Sequence, residues 1–141
     1  MASARKYFKL TAQIEAALNS DYSNPLPGWP VEITSEWESH KVFAFTGLLA
    51  DTTGITVDLG IVDTAQDVGT VEDIIIVNKD TTNYVSAKVR TDASSTNDVI
   101  LKCNPGRVLI LGSDITEGND LILTANTAAV ECDVYVIGKV T

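Results

Sequence analysis

From Val31 onward the chain is a succession of short apolar stretches, most of them alternating with a period of two, parted by polar turns that carry glycine or proline. Ile55, Val57, Leu59 and Ile61 alternate with Thr56, Asp58 and Gly60, which sends one set of side chains to a buried face and the other to water. Val85, Ala87 and Val89 alternate in the same way with Ser86, Lys88 and Arg90, as do Val99, Leu101 and Cys103 with Ile100 and Lys102. RVLIL at 107–111, DLILTA at 120–125 and VECDVYVIGKV at 130–140 complete the set. KVFAFTGLL at 41–49 and IIIV at 74–77 are continuously apolar and suit strands covered on both sides.

The breaks have turn chemistry. In VNKDTTNYVSAKV, residues 77–89, a polar turn separates two apolar segments and predicts a β-hairpin. Asn104-Pro105-Gly106 fits a type II turn, with proline fixing one φ and glycine supplying a positive one. Residues 51–54 and 117–120 are polar and glycine-bearing. About eight short strands at this spacing predict a mainly β fold, an antiparallel β-sandwich or a jelly roll.

Residues 1–30 read differently. Tyr7, Leu10, Ile14, Ala17 and Leu18 recur at three and four residues and predict a short helix over about residues 6–18. SNPLPGWP, residues 23–30, holds three prolines and a glycine and reads as a linker. The expected organisation is an N-terminal arm over 1–30 and a β-sandwich over 31–141. The arm either reaches onto a neighbouring molecule or caps an open edge of the sandwich. Preset proline backbone lowers the entropy lost when such a segment docks.

A chain of 141 residues supports one sizeable core. Aromatic residues are only 6% of it, so that core is built from Val, Ile, Leu and Ala. The formal charge is −9; Arg5, Lys6 and Lys9 against Glu15 leave +2 in residues 1–20 and therefore −11 in the rest. Such a body repels a nucleic-acid backbone. No run of 18 apolar residues reads as a membrane span, and Lys6 and Lys9 interrupt any signal-peptide core, so the expectation is a soluble protein made in a cytoplasm.

Residues suited to catalysis are sparse. His40 is the single histidine and stands among Glu36 and Glu38, where it reads as solvated and not as a base. Cys103 and Cys132 fall on the apolar side of their strands and read as small core residues, although the sequence leaves a disulfide between them open. Residues 113–120 gather Asp114, Glu117, Asn119 and Asp120 without the spacing of a calcium loop, and read as a solvated turn. No phosphate cradle or dinucleotide fingerprint is present, so no catalytic residue, cofactor or metal is expected. Trp29, Trp37 or Tyr84 offers a platform for a sugar, which makes a carbohydrate-binding or adhesion module the alternative reading.

The C-terminal half carries a resemblance. Asn78 to Tyr84, then Pro105 to Val108, then Ala125 to Val130, in that order within residues 74–141, resemble small virion structural proteins of tailed bacteriophages. The resemblance implies a β-sandwich subunit of a virus particle, a capsid decoration or cement protein on the major capsid shell, often trimeric, with a tail or neck component as the alternative. It implies no catalytic residue. The partners expected are the major capsid protein or other virion proteins and further copies of the chain, with no nucleic acid and no membrane; the location expected is the capsid surface of the virion. Tyr7, Phe8, Leu10, Ile14, Trp29 and Trp37 are the candidate contact residues, because aromatic and aliphatic anchors dominate interfaces.

Overall fold

Among the described residues, the alternating segments from residue 41 to residue 140 form eight strands whose pairing is nested. They are β3 (Lys41–Ala50), β4 (Ile55–Asp58), β5 (Val68–Asn78), β6 (Val85–Val89), β7 (Val99–Cys103), β8 (Val108–Thr116), β9 (Asp120–Ala125) and β10 (Val130–Val140). The computed structural model of the chain describes residues 6–39, 41–59, 68–89, 98–116 and 120–140. β3 pairs with β10, β4 with β9, β5 with β8 and β6 with β7, all antiparallel. Such a series is one long hairpin with β6 and β7 at its tip. Two further pairings, β5 with β10 and β6 with β9, roll that hairpin into two sheets of order β3-β10-β5-β8 and β4-β9-β6-β7. This is the eight-stranded jelly roll, and the mainly β expectation holds.

The alternation does what the sequence requires of it. Ile74, Ile76, Val134 and Val136 from the first sheet meet Val85, Ala87, Leu121 and Leu123 from the second in one buried cluster. Cys103 and Cys132 lie in the same cluster as free thiols. Burial pushes the Cys132 thiol up to about 11, so it remains a neutral, space-filling group at physiological pH.

Three expectations are corrected. The predicted helix over 6–18 is instead strand β1 (Lys6–Ile14), paired along its length with β2 (Val31–Ser39). Leu10 and Ile14 satisfy a helical spacing, but Phe8, Leu10, Ala12 and Ile14 satisfy a period of two equally well, and β2 supplies a ladder that a marginal isolated helix lacks. Among the described residues only Leu18–Ser20 is helical, as a single 3-10 turn. Second, the chain divides into Met1–Ser39 and His40–Thr141, so the boundary falls at Ser39 and not at Pro30. The proline-rich segment closes the connection between β1 and β2, with Ala17 bridged to Pro25 and a cis bond between Trp29 and Pro30.

Third, residues 77–89 do not form a hairpin. β5 and β6 belong to different sheets, and residues 79–84 carry the chain across. The same holds for the connections after β3, β7 and β9. Turn residues specify a reversal or a bend of the backbone and leave open which strands then pair.

Gly54, in the β3–β4 crossover, has φ +94, and a Cβ there would stand 2.9 Å from Thr124 Oγ1. Gly54→Ala is therefore expected to destabilise the protein by about 1–3 kcal/mol, read by denaturant titration.

Candidate interaction surfaces

The N-terminal unit is a two-stranded ribbon, and its register sorts its side chains. Positions Phe8, Leu10, Ala12 and Ile14 of β1 stand opposite Trp37, Ser35, Ile33 and Val31 of β2 on one face. Tyr7, Lys9, Thr11 and Gln13 stand opposite Glu38, Glu36, Thr34 and Glu32 on the other. The first set is largely apolar and the second polar, with Lys9 Nζ 3.3 Å from Glu36 Oε1. Among the described side chains of residues 6–39 none is buried, and Ile14, Val31 and Ile33 are exposed, Ile33 at 44%. A two-stranded ribbon in water is marginal without something against its apolar face.

The sequence-predicted contact residues divide accordingly. Phe8, Leu10, Ile14 and Trp37 share the apolar face by register; Tyr7, 77% exposed, falls on the polar one. Trp29 is half-buried ahead of β2, its backbone N–H donating to the Leu26 carbonyl. His40 lies outside the described residues, as do Ile61 and residues 117–119. Residues 113–116, expected as part of a solvated loop, belong to β8.

The jelly roll has a second apolar surface that sequence reasoning missed. On the side of the first sheet away from the core, Ala44, Tyr135, Ile75 and Ile110 form a row across β3, β10, β5 and β8, with Val77 and Val108 in the next row. Ile75, Val77 and Tyr135 are half-buried, while Val108 and Ile110 are exposed at 56% and 45%. The expectation that IIIV is covered on both sides fails: Ile74 and Ile76 enter the core, whereas Ile75 and Val77, on the opposite face of β5, are only half-buried. The signal was available, because a strand with no polar alternation and only one face in the core leaves apolar side chains outside.

The outer face of the second sheet is different in kind. Tyr84, Ser86, Lys88, Thr124 and Asn126 line a shallow groove there. The Lys102 ammonium sits 3.9 Å from the centre of the Tyr84 ring, so one face of the predicted sugar platform is taken. Lys88 pairs with Asp98 at 3.4 Å.

At one end of the jelly roll the four crossovers are laced together. Ala125 N–H donates to Asp51 O, Asn126 N–H to Tyr84 O, Gly106 N–H to Asp80 O and Lys79 N–H to Glu131 O. Asn78, 1% exposed, is the hub: its Nδ2 donates to the carbonyls of Asn83 and Cys103 at 3.0 and 3.1 Å, and its Oδ1 accepts from Asp80 N–H at 2.9 Å. Asn78 to Tyr84, Pro105 to Val108 and Ala125 to Val130 fall in three of these four crossovers. Their polar residues hold the roll shut.

Three carboxylates cap this end. Asp51 accepts from the Thr53 hydroxyl and from the Thr53 and Gly54 N–H groups; Asp80 accepts from the Thr82 and Asn83 N–H groups. Asp133 takes Lys79 Nζ at 2.9 Å and the N–H of Gly47 at 2.8 Å, where β3 bulges against β10. Lys79 holds Asp133 below its ordinary value, with the Gly47 N–H assisting; the Thr53 hydroxyl does so for Asp51 and the Asn83 N–H for Asp80. A carboxyl with a lowered folded pKa stabilises fully above its unfolded pKa, near 3.8, and loses that contribution as pH falls through the folded one. Asp73 acts in the opposite sense, because burial beside Glu72 raises it. The unfolding midpoint is expected to be flat above about pH 5 and to drop below about pH 4, with a shallower drop in Asp133→Asn.

Comparison with protein-family models, curated proteins and solved structures finds no match to this chain. Among the described residues no group of three His, Cys, Asp or Glu side chains is placed to hold a metal ion, and no helix is long and apolar enough to cross a membrane.

Proposed function

We propose that this chain is a non-enzymatic structural protein of a virus particle, a capsid decoration or cement protein that binds and stabilises the major capsid shell. The observation that carries the reading is the N-terminal ribbon, amphipathic by register and with its described apolar side chains open to solvent. A ribbon so built gains stability when its dry face meets a protein surface, while its Lys9–Glu36 face stays wet. The jelly roll is a laced framework that supports such a contact, and the resemblance of its crossovers to those of small phage virion proteins points to a shell as the partner. Copies on a shell repeat symmetrically, which favours a closed homo-oligomer, with a trimer as the first expectation. The protein is then made in the host cytoplasm and ends on the capsid surface.

The test is add-back. Full-length protein, mixed with purified particles of the encoding virus from which the chain has been removed, is expected to bind at a fixed copy number and to raise the temperature at which the shell opens. Labelling confined to the tail or neck in electron micrographs, or no binding, overturns the assignment to the shell.

A further inference from the structure

The groove on the outer face of the second sheet has no role in the function proposed above. Its volume is about 560 Å³, within the range of small-ligand sites, and it runs over β9 and β6, the two inner strands of that sheet. We infer that it binds a neutral saccharide, with the Tyr84 ring as a stacking wall and Ser86, Thr124 and Asn126 as the hydrogen-bonding groups. The inference uses residues of the jelly roll alone and depends neither on the ribbon nor on the shell.

Strand register assembles the site. Ser86 of β6 stands between Thr124 of β9 on one side and Lys102 of β7 on the other. Lys102 holds its ammonium 3.9 Å from the centre of the Tyr84 ring from the β7 side, whereas Thr124 and Asn126 bound the groove on the β9 side. One ring face is therefore held by a cation and the other is left for a ligand, so the ring is oriented before anything binds. A sugar ring presents to such a face its own row of C–H bonds, which is apolar, while its hydroxyls point to the sides.

The polar groups select the ligand class. The Ser86 and Thr124 hydroxyls and the Asn126 amide each donate and accept, as sugar hydroxyls do. Among the described residues no side-chain hydrogen bond engages them. Lys88, the cation among the lining residues, is paired with Asp98 at 3.4 Å, and Lys102 is engaged by the Tyr84 ring. The groove thus lacks the open cluster of cations that a phosphate or a polyanion requires. An extended peptide is disfavoured for another reason: β6 and β9 are paired on both sides and offer no free backbone edge.

The experiment is titration calorimetry of the full chain with maltotriose, cellotriose, mannotriose, lactose and triacetylchitotriose, with heteronuclear NMR to locate the site. At least one of these neutral probes is expected to bind with a Kd of about 1 mM or below and to shift the amide signals of Ser86, Thr124 and Asn126. Tyr84→Leu is expected to weaken that binding at least about tenfold, whereas Tyr84→Phe, which keeps the ring, stays within about twofold. Asn126→Ala is an exposed change that leaves the core untouched, and it is expected to weaken binding about threefold or more. Circular dichroism verifies the fold of each variant. Absence of binding by every probe overturns the inference, as do shifts confined to other residues or an affinity that Tyr84→Leu and Asn126→Ala leave unchanged. Trigalacturonate is the charged comparison, and its binding more tightly than every neutral probe overturns the assignment to a neutral ligand.

Discussion

Asn78→Leu is expected to cost the protein about 3–5 kcal/mol and to lower its unfolding midpoint by about 10–20 °C. Leucine keeps the branching and the number of side-chain heavy atoms, so the loss is mainly one of hydrogen bonding, with added crowding because methyl groups are bulkier than the amide oxygen and nitrogen they replace. The Asn78 side chain is buried and makes three bonds: to the carbonyls of Asn83 and Cys103 and from the Asp80 N–H. Removing it takes a partner from all three backbone groups, the Cys103 carbonyl in a buried site and the Asn83 carbonyl and Asp80 N–H in half-buried ones, each at up to about 1–3 kcal/mol before relaxation. The Asp80 carboxylate shapes the same crossover by holding Thr82 and Asn83, so the damage spreads along residues 79–84. Thr81→Ala, an exposed change in the same segment, is the control and is expected within about 0.5 kcal/mol of the parent. Denaturant titration of the three proteins checks the prediction. An Asn78→Leu protein within about 1 kcal/mol of the parent shows that Asn78 does not hold the crossovers.

Truncation to residues 40–141 is expected to leave a folded jelly roll. The buried cluster draws every member from Ala50 onward, and the described side chains of residues 6–39 contribute none. The stability of the truncated protein should therefore lie within about 1 kcal/mol of the full chain, with an unchanged cooperative transition. The effect expected on particle binding is complete loss, because the truncation removes the entire ribbon. An unfolded 40–141 protein contradicts the division at Ser39, since it would mean that the ribbon completes the core.

The strands of the jelly roll are legible in the sequence because burial imposes a period of two and the chain keeps to it, as at Val85, Ala87 and Val89. Their pairing is not. The turn at residues 78–83 has hairpin composition, yet the chain crosses between sheets there, and what decides it is the nested order of eight strands. The N-terminal segment misleads because Leu10 and Ile14 fit both periods, and the deciding partner, Val31–Ser39, lies across a proline-rich stretch that resembles a linker. Among the contact candidates, aromatic and aliphatic character selects Phe8, Leu10, Ile14 and Trp37 from the face that register makes apolar. It also selects Tyr7, which the strand turns to the other side. The continuous apolar run at residues 74–77 carries the signal for the outer face of the first sheet, but it suits a doubly covered strand equally well, and the sequence does not say which applies.

The ribbon's apolar face is what attaches this protein to its particle in the function proposed. Cosedimentation with particles lacking the chain tests that attachment most directly, using the full-length protein, the 40–141 protein and an Ile14→Asp/Ile33→Asp variant of the full chain. The full-length protein is expected to pellet to a fixed copy number while the other two remain in the supernatant. Pelleting of all three to the same extent would contradict the attachment through the ribbon and move the site to the jelly roll itself.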